Sequence, residues 1–413
     1  MNLQSPLVLP CGQILSNRLV KSAMSENMAD KNHHPGLEFY ALYQRWAKGG
    51  VGLCISGNVM VSSSALGEPN NVVIDKNLNN LSELKIWASS ANNTEMKLWI
   101  QLNHPGKQSP KFLSREPVAP SSIPLRAPLN RIFNTPRELT EKEIYTIIEQ
   151  FAFAAARVKE AGFSGVQIHG AHGYLVSQFF SPKHNMRSDR WGGNFENRLR
   201  FGREVYLAMR KAVGPDFPIG IKINSADFQK GGMSPEDSIM IAEFLSNLGI
   251  DLIEISGGSY ESPEMMGISK RESTIRREAY FLEYSNAIKN KIRCPLMVTG
   301  GFRTGTFMTA ALKEQKLDLI GLGRPLAINP NFANDLLGGQ NIQSEVTALT
   351  TGFKFLDKLF PLEISWYTHQ LHRMGKGLDP NPNASTYSII LRSIFELGIT
   401  SLRSQFTSRR EPS

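Results

Sequence analysis

Short β-branched or apolar runs alternate with helical patterns eight times along the chain, and this repeat constrains the fold more than any other feature. The runs are Arg18–Ala23, Val51–Gly57, Lys97–Leu102, Gly165–His169, Pro218–Ile223, Asp251–Ser256, Pro295–Thr299 and Leu317–Gly323. Such alternation predicts an α/β protein with a parallel sheet, and eight strands is the number that closes a (β/α)8 TIM barrel. A doubly wound open sheet is the alternative. It would want a GxGxxG turn after an early strand, and the sequence has none. The clearest helix is expected from Thr140 to Ala161, opening on Thr140 and Glu143 at capping-box spacing. The length of 413 residues suits one such barrel with insertions.

Two segments do not fit the bare repeat. Residues 103–137 hold seven prolines in 35 residues, with no helical period, and read as a loop excursion after strand 3 over one barrel mouth. Residues 341–413 follow the eighth strand and read as a partly helical C-terminal extension to a barrel spanning 1–340. Within that extension Ile389–Phe406 is amphipathic, suited to packing on its own domain, on a partner subunit or, less readily, on a membrane surface.

Charge and cysteine content narrow the function classes. Lys and Arg number 46 against 37 Asp and Glu, a formal charge of +9. The basic residues are scattered among acids and form no stripe with interleaved aromatics, which argues against nucleic acid. No apolar run is long enough to span a bilayer, so no integral membrane segment is expected. The first residues lack the pattern of a secretory signal. The three cysteines form neither a CxxC motif nor a disulfide framework. A soluble, cytoplasmic protein is expected.

Strand parity predicts the site. Barrel function sits at the C-terminal strand ends, and inward side chains alternate with outward ones. If Leu98, Ile100 and Leu102 face the helices, Gln101 points inward. By the same rule His169 is inward opposite Val166 and Ile168, and Lys222 is inward opposite Ile219, Ile221 and Ile223. An amide, an imidazole and an ammonium then meet at one mouth. In His169-Gly-Ala-His172-Gly-Tyr174, two imidazoles can aim N–H groups at one acceptor oxygen while a phenol nearby supplies a proton. A metal pair is disfavoured, since neither HExxH nor an accompanying Cys/Asp cluster occurs. A purely structural histidine pair is the other reading. The seventh and eighth strands end in Gly300-Gly301 and Gly321-Leu-Gly323-Arg324, turns suited to an anion such as phosphate.

These residues resemble the old yellow enzyme family of flavin-dependent NAD(P)H oxidoreductases, in its single-domain subgroup. The most specific matches are IQLNHPG at 100–106, HGAHGYLVSQF at 169–179, RSDRWGG at 187–193 and ENR at 196–198. The resemblance implies FMN held noncovalently across the barrel mouth. It implies that Ala23, Met24 and Ser25 line the flavin, with Gly57 beside the ring and Gln101 on the pyrimidine edge. Lys222 stands near the N1 and C2 carbonyl edge where many members have Arg. Gly301, Gly323 and Arg324 match the phosphate positions, His169 and His172 the pair that binds the substrate oxygen, and Tyr174 the proton donor. Tyr260, in the sixth-strand loop, is assigned no role beyond the substrate pocket.

The resemblance further implies a ping-pong ene-reductase, with NADH or NADPH as hydride donor and an electron-poor alkene, such as an α,β-unsaturated carbonyl, as acceptor. The alternatives are a flavin NAD(P)H oxidase using oxygen or a quinone, a flavin-free aldolase or isomerase, and an FMN-binding protein without turnover.

Overall fold

The computed structural model describes residues 1–262, 278–279, 281–346, 349–352 and 362–391. Eight parallel strands close a barrel: β1 (Leu19–Lys21), β2 (Leu53–Met60), β3 (Lys97–Asn103), β4 (Gly165–Gly170), β5 (Ile219–Asn224), β6 (Leu252–Ser256), β7 (Leu296–Thr299) and β8 (Leu319–Leu322). They pair in chain order, and β8 returns to β1. The expected (β/α)8 architecture is therefore present, and all eight expected strands are found. The ends differ by a residue or two, except that β2 runs on to Met60.

Alternation along the strands builds two apolar shells. The outward residues of β3, β4 and β5, including Ile100, Ile168 and Ile221, join the helix-packed outer core. The inward residues Val20, Leu53, Ile55, Trp99, Leu252, Met297 and Leu319 form a separate cluster. Leu9 and Leu15, at the hairpin Leu7–Val8 with Ile14–Leu15, join this cluster and plug the barrel floor. Trp99 fills the floor because its neighbour is Gly165, where a Cβ would lie 2.4 Å from the indole nitrogen. Above this layer the inward residues turn polar, and that change of chemistry sets the depth of the site.

Three helices matter for the mouth: α1 (Leu37–Lys48), α2 (Glu141–Glu160) and α3 (Leu362–Gly375). The expected capping box starts α2. Glu143 N donates to Thr140 Oγ1 at 3.3 Å, and Thr140 N donates to Glu143 Oε2 at 2.8 Å. The 103–137 excursion reaches the sixth-strand loop, where Arg126 N donates to Glu261 Oε1 at 3.0 Å and the Phe133 ring lies 6.1 Å from that of Tyr260. From the segment beyond residue 340, α3 packs on α1, where a Cβ at Gly375 would lie 3.1 Å from Glu38 O. Of the amphipathic stretch expected over 389–406, residues 392–406 lie outside the described residues; Ile389 is buried in the outer core and Leu391 is exposed. Among the described residues no helix is long and apolar enough to cross a membrane.

Candidate active site

A cavity of about 350 Å³ opens at the C-terminal ends of the strands. Ala23, Met24, Ser25, Gln101, His169, His172, Tyr174, Lys222, Gly301, Gly323 and Arg324 all line it. Residues from six strands or the loops after them thus meet at one mouth. Gly57, expected beside a flavin ring, does not line the cavity. It sits behind the β1 loop, where a Cβ would lie 2.2 Å from Glu26 Oε2 and 2.3 Å from Met24 O. Its glycine is therefore required by the close approach of that loop.

The β4 end supplies the imidazoles and the phenol. His169 and His172 meet edge to face at 5.1 Å between centroids, and the Tyr174 ring lies 4.7 Å from that of His169. The Ala171 amide donates to His169 Nδ1 at 3.4 Å, which leaves the ring proton on Nε2. His172 has a left-handed backbone, φ 60°, secured by its N–H donating to Asn224 Oδ1 at 3.0 Å. Its Nε2 lies 2.9 Å from Ser256 Oγ, a partner on β6. Burial and the nearby Lys222 charge hold both imidazoles well below the usual histidine range, so both are neutral donors. Tyr174 Oη contacts Tyr260 Oη at 2.9 Å and accepts from Asn58 Nδ2 at 3.4 Å. Burial raises both phenols, Tyr260 to about 12, so each keeps its proton at neutral pH.

Asn58 carries a parity that the sequence hides. Counting from the inward residues Leu53 and Ile55 would turn it outward. The pairing of β2 with β3 shifts register between Ile55 and Asn58, and this irregularity turns Asn58 into the cavity.

A polar girdle crosses the barrel at the cavity floor. Gln101 Nε2 donates to Gln167 Oε1, Gln167 Nε2 to Glu254 Oε2, and Thr299 Oγ1 to Glu254 Oε1, each at 2.7 Å. Ser22 Oγ closes the row at 2.8 Å from Thr299 Oγ1. Lys222 Nζ lies 3.0 Å from Glu254 Oε1, and both side chains are buried. The inward ammonium expected at Lys222 is present, and it is paired with a carboxylate. Parity alone would have placed Gln167 and Glu254 inward, since they alternate with outward neighbours.

Buried groups behind the β1 loop fix its path. Lys21 Nζ donates to Ile55 O at 2.9 Å, stands 3.7 Å from Glu26 Oε1 and lies over the Trp46 ring at 4.4 Å. Glu26 Oε1 also accepts from Tyr43 Oη and, at 2.9 Å, from Gly57 N. At the tip of the loop, the Ser25 hydroxyl donates to Glu68 Oε2, a carboxylate that the sequence reading did not single out.

The opposite wall carries the glycine turns expected to suit an anion. Gly300 and Gly301 take left-handed φ values of 126° and 83° after β7, and Gly323-Arg324 opens a short helix after β8. Arg303 joins them in the lining. Unexpectedly, α3 roofs this wall. Its Ile364, Tyr367, Thr368 and Leu371 line the cavity, and Glu363 Oε2 lies 3.4 Å from Arg324 Nη1. His372 Nε2 meets Glu26 O at 2.8 Å. Among the described residues no group of three potential metal ligands occurs.

A closed parallel barrel with neutral histidines and a phenol at one side of its mouth, and glycine turns with arginines at the other, has the make-up of a barrel enzyme. The chain belongs to the NADH:flavin oxidoreductase / NADH oxidase family, whose model matches residues 3–343. It is 38% identical over 369 residues to an NADH-dependent flavin oxidoreductase, iliE, of Hypocrea jecorina, covering 83% of this chain and 91% of that protein. It is 32% identical to the NADH-dependent flavin oxidoreductase iccE of Talaromyces variabilis, covering 91% of this chain and 99% of that one. Among solved structures, a 2-naphthoyl-CoA reductase superposes with a TM-score of 0.77 at 26% identity, covering 83% of this chain and 53% of that one. Morphinone reductase, at 24% identity and a TM-score of 0.68, covers 83% and 91% and shares the fold.

The protein is thus an FMN-dependent NAD(P)H oxidoreductase. Its cavity fits that cofactor. Hydrogen-bonding groups of Gln101 and Lys222 lie at one side, while two left-handed glycines, an unhindered Gly323 and two arginines form a cradle at the other.

Proposed function

We propose that the protein reduces the activated C=C bond of α,β-unsaturated carbonyl or related electron-poor substrates, by a ping-pong mechanism with NADH or NADPH and the alkene using one cavity in turn. The reading rests on one observation above all: two neutral imidazoles and a protonated phenol converge on the same space. Gln101 and Lys222 would hold the pyrimidine side of FMN, the loop Ala23–Ser25 its ring, and Gly301, Gly323 and Arg324 its phosphate. FMN held there would supply hydride chemistry toward the β-carbon.

The protein's own groups do the rest. His169 and His172 bind the substrate oxygen where negative charge grows, and as neutral donors they stabilise it without first losing a proton. Tyr174 gives its proton to the α-carbon. Asn58 Nδ2 and the Tyr260 hydroxyl face the phenolic oxygen and can donate to the tyrosinate left behind.

The test is Tyr174→Phe with the two half-reactions measured separately. Alkene reduction should slow by roughly 10²–10⁴-fold, the usual range for losing a general acid, while flavin reduction by NAD(P)H changes little. Nitroalkenes should suffer less, because a nitronate can leave and be protonated by water. Equal slowing of both half-reactions would remove Tyr174 from the proposed role. An NADH oxidase of Thermoanaerobacter brockii is 33% identical over 81% of this chain, so oxygen is the competing acceptor. Turnover with oxygen that is unaffected by an enone would favour it.

A further inference from the structure

The charges around the cavity are unevenly matched. Of the carboxylates at this mouth, Glu26 stands 3.7 Å from Lys21, Glu254 3.0 Å from Lys222, Glu261 3.8 Å from Lys107 and Glu363 3.4 Å from Arg324. Glu68 is the exception. Its Oε2 accepts from Ser25 Oγ and, at 3.3 Å, from Asn71 Nδ2, while Oε1 has no protein partner among the described residues. No Lys or Arg among the described residues forms an ion pair with it, and its carboxyl is raised by burial and by neighbouring Glu26. Yet Glu68 lines the cavity together with Tyr174 and Tyr260, whose rings stand 6.0 Å apart and nearly perpendicular. Its charge reaches both phenols, helping to hold them protonated.

A half-buried carboxylate that lines a cavity without a cation keeps an unbalanced charge, and a ligand cation would balance it. The adjacent aromatic rings favour the same guest, since an ammonium is attracted to their faces. The arginines that would repel a cation, Arg303 and Arg324, follow β7 and β8, on the wall proposed to hold the phosphate. We propose that Glu68 is a specificity-determining residue that receives a protonated amine, so that the preferred substrates are electron-poor alkenes carrying a basic nitrogen. This inference rests on the cavity being the alkene site.

The experiment uses a matched pair of enones, one bearing a tertiary amine and the other its neutral carbon isostere, with wild-type holoenzyme and Glu68→Gln. In the wild type, kcat/KM should favour the amine by roughly tenfold or more, a modest energy for an enclosed charge pair. Glu68→Gln should reduce that ratio to near one, chiefly through KM. A second readout needs no turnover: titration of the oxidised enzyme with a phenol bearing a tertiary amine and with its neutral isostere, followed by flavin absorbance. The amine's binding advantage should vanish in the variant. A wild type with no preference for the amine, or a preference that survives Glu68→Gln, would overturn the proposal. Failure of the neutral enone to react at all would strike the ene-reductase reading instead, while the titration would still decide the role of Glu68.

Discussion

At the residue scale, the proposed seat of Lys222 beside the flavin makes the buried Lys222–Glu254 pair a control on how strongly the protein favours the reduced ring. A fixed cation beside the N1 and C2 carbonyl edge stabilises the negative charge of the reduced ring, but a carboxylate 3.0 Å away offsets much of that field. The two variants should therefore shift the flavin potential in opposite directions. Glu254→Gln keeps a hydrogen-bonding partner for Gln167 and Thr299, leaves the ammonium uncompensated and should raise the potential. Lys222→Met should lower it and slow reduction by nicotinamide. For a two-electron couple about 30 mV equals a tenfold change in equilibrium, and each shift should reach at least that size. Potentiometric titration with a reference dye measures both. Shifts of the same sign would place the pair away from the reacting ring.

At the element scale, α3 joins the C-terminal segment to the cofactor mouth. Its Glu363 shares Arg324 with the position expected for the phosphate, so the carboxylate and the phosphate compete for one guanidinium. Glu363→Gln should tighten FMN binding by about two- to fivefold, the scale of a partly exposed ion pair. Fluorescence titration of the apoprotein with FMN tests this, and weaker binding would show that Glu363 supports the arginine instead. Elements differ in how much of this the sequence could disclose. Strand existence and side-chain parity were legible because the outward face of each strand is continuously apolar, as in Ile219, Ile221 and Ile223. Parity also reached Gln101, His169 and Lys222, and it would have reached Glu254 had β6 been counted in the same way. It failed at Asn58, where a register irregularity breaks the alternation. Glu68 and the docking of α3 on the cavity were not legible, although a partly helical extension was expected there. Glu68 and α3 come to the cavity along irregular or sequence-distant paths, and no local period encodes where such segments dock.

At the scale of the whole molecule, burial of neutral histidines ties stability to pH. Burial holds His169, His172 and His184 well below the ordinary range and pushes His104 down to about 4. In the unfolded chain each would take up a proton near pH 6.5. A depressed folded-state value means that the stability is fully present above the unfolded value and is lost as pH falls from about 6.5 toward the folded one. Glu68, Asp227 and Glu363 act in the opposite sense, because their raised carboxyls bind protons more readily folded than unfolded. The histidine contribution is isolated best at His104, whose shift comes from burial alone and which does not line the flavin cavity. His104 Nδ1 accepts from Gly106 N at 3.1 Å, a bond that Gln can imitate without titrating. His104→Gln should lower stability at pH 7 yet flatten its decline between pH 6.5 and about 4, by up to about 1.4 kcal/mol per pH unit for the one proton removed. Urea unfolding of holoenzyme and variant across that window measures the two slopes. Parallel slopes would mean that the folded state already carries His104 protonated.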